Sequence, residues 1–139
     1  MIILSVDYGD ARTGVAVSDK TEFLASPVEV IHSSYQPNVI GRICEICDSY
    51  KPELIVVGLP KNMDSSIGER AQRCIDFADE LSKNCGIKTV MWDERLTTVS
   101  AHNYLNQTNI RGKKRKNTVD AVAAVIILQS YLDHRKINT

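Results

Sequence analysis

Asp7 stands at the end of the apolar run "MIILSVD", and Gly9, Arg12 and Gly14 follow before a second apolar run begins. Asp93 and Glu94 close another apolar run, "KTVMWDE", and Asp120 sits near the start of "VDAVAAVIILQSYL", which is apolar nearly all round. Carboxylates at the ends of buried segments suit hard divalent cations. Magnesium takes oxygen ligands, keeps several waters and binds through one or two carboxylates plus substrate phosphate. A pair of such ions can activate water and stabilise the leaving oxygen in phosphodiester cleavage. Structural roles compete with this reading. Asp7 alone could cap its turn, and Asn117 with Asp120 three residues on has the form of a capping box.

The elements that must position these acids follow from periodicity. Ile2 to Asp7 and Gly14 to Ser18 read as antiparallel strands joined by a tight turn, with a short third strand, Val28 to Ile31, after Pro27. From Asn38 to Ser49 the spacing becomes helical, and Pro52 bars continuation. "ELIVVGLP" fits a strand buried on both faces. A long helix is predicted from Ser66 to Asn84 with Gly86 as its stop, and "KTVMWDE" is the last strand. Helices from Thr98 to Asn106 and from Thr118 to His134 flank a basic loop. An antiparallel meander followed by βαβ units predicts an α/β fold with a mixed five-stranded sheet and helices on both faces. Ligands of open α/β sheets bind outside the C-terminal strand ends. Asp7 and the Asp93–Glu94 pair then share one edge, whereas Asp19, ending the reversed second strand, belongs to the other.

The 139 residues are read as a single domain, residues 1–139, 43% hydrophobic and 24% charged. The N-terminus lacks the basic region of a signal peptide, and no apolar run approaches the roughly 20 residues of a membrane helix. A cytoplasmic protein without membrane contact is expected. Cys44 and Cys47 share a helical stripe with Ile40 and Ile43, Cys74 lies on a similar stripe, and Cys85 stands alone; all four read as core or ordinary thiols. His32, His102 and His134 share no ligand spacing. The formal charge is zero, but Arg111, Lys113, Lys114, Arg115 and Lys116 are concentrated in "IRGKKRK". That run is expected to be a mobile surface loop and the main local attraction for a polyanion.

"DYGDARTGVAVSD", "IVVGLPKNMDSS", "GERA", "DERLTT" with "SAHNYL", and "GKKRKNTVDAVAAVIILQSYL" together resemble the YqgF family over nearly the whole chain. The resemblance implies a ribonuclease H-like fold related to Holliday-junction resolvases. It also implies a metal-dependent nuclease that processes the 5′ end of pre-16S rRNA in ribosome biogenesis. The family pattern makes Asp7 the first-strand ligand and Asp120 the helix-borne one for Mg2+ or Mn2+. The wider superfamily carries another acid at the end of the fourth strand, where this chain has Gly58, Leu59 and Pro60. The "DER" acids would supply that ligand, and strand alternation lets only one of Asp93 and Glu94 point fully inward without saying which. Glu94 joins the metal set here, Asp93 stays among the catalytic candidates, and Asp64 is a weaker candidate. Ser65 stands where family members usually carry glycine. Arg12, Arg70 and Arg95 accompany the motifs as phosphate clamps or surface ion pairs, with the five basic residues of "IRGKKRK" as further nucleic-acid contacts. Thr97 and Thr98 are helix-starting residues first. The partner is structured RNA or branched DNA, and the chain a monomer or homodimer. Three other readings remain: a Holliday junction resolvase-like DNA endonuclease, a non-catalytic RNA-binding assembly factor, and an actin-like ATPase. The last shares the opening hairpin but needs a second domain and a second phosphate loop.

Overall fold

The computed structural model describes residues 1–62, 64, 66–96 and 112–137, with the side chains of 96, 112–121 and 137 not included. Five strands form one sheet: β1 (Ile3–Asp7), β2 (Arg12–Ser18), β3 (Ala25–His32), β4 (Leu54–Leu59) and β5 (Lys88–Asp93). Their spatial order is β3-β2-β1-β4-β5. The tight turn after Asp7 forces β2 back against β1, with Asp7 opposite Gly14. β1, β4 and β5 run parallel, in register through Val6–Val57 and Gly58–Trp92. All six residues of β4 are buried, as expected of a central strand covered on both faces.

Alternation along the strands divides the core in two. Leu4, Val6, Val15 and Val57 face helices α1 (Gln36–Tyr50) and α2 (Glu69–Cys85), whose stripes contribute Ile43, Ile46, Phe77 and Leu81. Ile3, Ala16 and Val56 face α3 (Gly112–Ile137), which contributes Ala124, Ile127, Leu128 and Leu132. Each fully buried side chain of this size stabilises by about 1.5–3 kcal/mol through transfer from water. Ser5 shares the α3 face and donates its buried hydroxyl to the carbonyl of Ala124 at 2.7 Å. Asp7, two residues on, therefore belongs to the same face. At its C-terminal end α3 pairs Arg135 with Glu22 at 2.9 Å, and Glu22 also holds the N-terminal ammonium of Met1. α3 thus runs opposite to β1, and its turns before Ala124 lie toward the Asp7 end of the sheet.

The helix stops have local causes. α1 ends where Lys51 turns left-handed, its N–H donating to Cys47, ahead of Pro52. α2 ends at Gly86 (φ 70°), whose N–H donates to Ser82. Cys85, solitary in sequence, meets Cys44 and Cys47 where the two helices pack, and burial pushes its thiol upward in pKa.

Several expectations shift. β3 begins before Pro27 and includes it; an edge strand with a register break, here opposite Val15/Ala16, tolerates the missing N–H. β2 begins at Arg12. α2 starts at Glu69, because Ser66 instead donates its N–H and hydroxyl to Asp64. The basic run from Gly112 is not a loop: Lys113 to Lys116 form the opening turns of α3. Lysine and arginine are good helix formers, and the apolar stretch beyond them anchors the helix in the core. Asn117 and Asp120 consequently lie inside α3, beyond the helix start at which a capping box would sit. The predicted helix Thr98–Asn106, with Thr97, His102 and Arg111, lies outside the described residues.

Candidate active site

β1 delivers Asp7 to the α3 face at the C-terminal edge of the parallel strands. Its neighbour Tyr8 points the other way and stacks on Phe77 of α2, ring centroids 4.0 Å apart. Asp10, in the turn itself, accepts a hydrogen bond from Arg73 of α2 at 3.1 Å. The first turn is thereby held from one side while Asp7 projects to the other.

The chain leaves β5 through a short 3-10 turn, Glu94–Leu96. The two adjacent acids separate there. Asp93 accepts from three donor groups of Arg95: the backbone N–H at 3.0 Å, Nε at 3.0 Å to both oxygens, and Nη2 at 2.6 Å. Those bonds hold its carboxyl below the usual range. Glu94 instead turns inward over Gly58 and hydrogen-bonds to Asp7. Its pKa is raised to about 7, chiefly by burial and then by the nearby charge and hydrogen bond of Asp7, with Arg70 opposing the shift. A proton shared between two close carboxyl groups is the expected ground state, because like charges cannot both ionise cheaply there.

Arg70, at the start of α2, thus lies within electrostatic reach of the pair. Arg12 opens β2 and is half-buried. Arg95 is drawn to Asp93 and to the carbonyl of Asn62 at 3.5 Å. Asp64 is exposed and occupied by Ser66, whose hydrogen bonds lower its pKa. At the opposite edge Asp19 accepts from the N–H groups of Phe23 and Leu24 and from the Thr21 hydroxyl, closing the β2–β3 turn. Asp120 lies on α3 one turn before Ala124, on the part of the helix nearer the Asp7 end; its side chain, like those of Lys113, Lys114, Arg115 and Lys116, lies outside the described residues. Two residues near the pair were not read from the sequence as site residues. Cys74, buried on α2, lies within electrostatic reach of both Asp7 and Glu94, and its thiol is pushed up to about 11 chiefly by burial. Gly58 was read only as a missing acid, although a glycine interrupting an apolar strand signals close approach of another group.

Among the described residues no three His, Cys, Asp or Glu groups converge as a metal site. The Asp7–Glu94 pair nevertheless has the donor chemistry a hard cation requires: two half-buried carboxyl groups close enough to share a proton that a cation would replace.

The sheet order, the helices on both faces and the acid pair at the parallel edge define a ribonuclease H-like fold of the resolvase type. Thermus thermophilus RuvC superposes with a TM-score of 0.62 at 13% identity, covering 97% of each chain. RuvC of the same organism in complex with Holliday junction substrate gives 0.67 at 13% identity, over 100% of this chain and 97% of that one. The Fowlpox virus resolvase, in complex with substrate Holliday junction DNA, gives 0.61 at 16% identity, over 97% and 99%. These likenesses show the fold. In sequence, a protein of Halothermothrix orenii described as "Putative pre-16S rRNA nuclease" is 45% identical over 135 residues, 97% of this chain and 96% of its own length. Its Clostridium novyi namesake is 43% identical over 133 residues, 96% and 98% of the two chains. Residues 1–134 match the family model "RuvX: Holliday junction resolvase", and the chain belongs to that family.

Proposed function

We propose that this protein is a metal-dependent nuclease that hydrolyses phosphodiester bonds in structured nucleic acid, with the 5′ end of precursor 16S rRNA as its substrate in ribosome biogenesis. The observation that carries the reading is the half-buried Asp7–Glu94 carboxyl pair at the C-terminal edge of the parallel strands. The description shared by relatives above 40% identity across nearly their whole length supports the choice of substrate.

Asp7 and Glu94, with Asp120 from α3, would hold Mg2+ or Mn2+, which when bound supplies Lewis acidity for activating water and for stabilising the departing oxygen. The strand end and the 3-10 turn hold the two carboxyl groups on a rigid frame, so little reorganisation is needed when substrate arrives. Arg70 supplies positive charge beside the pair, where a scissile phosphate would otherwise meet only acids. The basic opening of α3 leads directly into the turn that carries Asp120, so a backbone held there lies close to the acids. Hydrolysis adds a water oxygen to phosphorus and breaks one phosphorus–oxygen ester bond.

The family description favours a second substrate, the four-way DNA junction, whose resolution by paired cuts would call for a homodimer. A cleavage assay decides: precursor 16S rRNA and a four-way junction, each with Mg2+, with Mn2+ and with chelator, wild type against Asp7→Asn. Metal-dependent cutting of the RNA that Asp7→Asn abolishes is the expected result. Preference for the junction selects the second substrate. Binding without cleavage of either overturns the nuclease reading in favour of an assembly factor.

A further inference from the structure

We infer that Gly58 is a positioning residue for the carboxyl pair: the side chain missing from β4 is the space through which Glu94 reaches Asp7. The inference rests on the reading of Glu94 as part of the nuclease centre.

β4 lies between the strands that carry the two acids. Its alternation sends Leu54, Val56 and Gly58 to the α3 face, and Gly58 comes one residue after the Val6–Val57 pair, level with Asp7. A Cβ on residue 58 would stand 2.5 Å from Glu94 Oε1, 3.1 Å from its Cδ and 2.8 Å from Ile127 Cδ1. Glycine is not required there by the backbone. Among the described residues the positive-φ glycine is Gly86, and Gly58 continues an ordinary parallel ladder that any residue could join. An interior glycine weakens a strand and adds nothing to the core, so its place in the centre of this sheet has a steric reason. Ile127 of α3 is buried in the core, whereas the Glu94 carboxyl ends a flexible side chain. A methyl group at residue 58 therefore displaces the carboxylate from Asp7 first, with a smaller adjustment of the Ile127 Cδ1 methyl. The acid that this strand does not carry and the glycine that it does are one arrangement: β5 supplies the charge and β4 supplies the room.

The test is Gly58→Ala, read by isothermal titration with Mn2+ alone, by cleavage and by thermal melting. Mn2+ affinity should fall by roughly tenfold or more, with cleavage falling in step and the melting temperature staying within a few degrees. Glu94→Asp draws the carboxylate back from residue 58, so Gly58→Ala should cost less in that background than in the wild type. Ile127→Val relieves only the helix contact and should restore neither binding nor cleavage; it also provides a folded protein should the single variant melt early. Wild-type Mn2+ binding in Gly58→Ala overturns the inference, as does recovery through Ile127→Val without recovery through Glu94→Asp. If Glu94→Gln itself binds Mn2+ and cleaves normally, the assignment of Glu94 fails and the inference with it. If Glu94→Gln is inactive while Gly58→Ala is normal, only the inference fails.

Discussion

Glu94 hydrogen-bonds to Asp7 across the full width of β4, over a strand that presents only glycine at that level. Two acids far apart in the chain become one half-buried group, held from β1 on one side and from the turn after β5 on the other. The carboxylate of Asp93, the immediate neighbour of Glu94, pairs with Arg95 instead.

Asp7→Asn keeps the shape of the site and removes a charge that a hard cation requires. Cleavage should fall by about two orders of magnitude or more, while the circular dichroism spectrum and melting temperature remain close to wild type. Undiminished cleavage would take Asp7 out of the chemistry.

Asp93→Asn and Glu94→Gln should separate. Glu94→Gln should resemble Asp7→Asn in activity. Asp93→Asn should retain most cleavage and lose up to about 1 kcal/mol of stability, the value of a partly exposed ion pair. Parallel kinetics and urea melts on the two variants measure both. Equal activity in the two would contradict the division of roles.

Metal should bind the folded state alone and so raise its stability. At a hundredfold excess over the dissociation constant the gain is about 2.7 kcal/mol, visible as an upward shift in melting temperature with Mn2+ or Mg2+ after chelator treatment. Asp7→Asn should show no such shift. A shift of the same size in both proteins would place the metal elsewhere.

Glu29 of β3 and Arg42 of α1 form a two-pronged pair, with Nε–Oε2 at 2.8 Å and Nη2–Oε1 at 2.6 Å. The hydrogen bonds from Arg42 lower the Glu29 pKa below its ordinary 4.5. A depressed carboxyl pKa contributes stability that is present above 4.5 and is lost as pH falls through the lower, folded value. Both side chains are partly exposed, so the contribution is about 1 kcal/mol or less. Glu29→Gln should lower stability at pH 7 and flatten the acid limb of stability against pH below 4.5. An unchanged limb would show that the pair contributes nothing to folding.

Replacing Lys113, Lys114 and Lys116 together by alanine preserves helix propensity at the start of α3. Binding of nucleic acid should weaken for all sequences alike. Each lost phosphate contact should reduce the slope of log affinity against log salt by about 0.7 to 0.9. Filter binding across a salt series reads both quantities; an unaltered slope would move the substrate to another surface.

Much of this protein is legible in its residues because the information is local. Alternation and helical spacing mark five strands and their order, Gly86 marks the end of α2, and the motifs carry the family. Asp7 lies at the end of its strand because a charge interrupts an apolar run, and that too is local. Which of two adjacent acids turns inward is another matter. Alternation says that Asp93 and Glu94 differ, but the choice depends on where β5 gives way to the 3-10 turn, on Arg95 drawing Asp93 aside and on the space above Gly58. The basic run misleads in the same way: its charge reads as a loop, whereas the apolar helix behind it, anchored under the sheet, extends through it. Cys85 meets Cys44 and Cys47 only when α1 and α2 pack on one face. Local pattern determines the elements, because each is set by neighbours in the chain. The site was decided by tertiary structure, because its carboxylates meet through space left empty by a third strand.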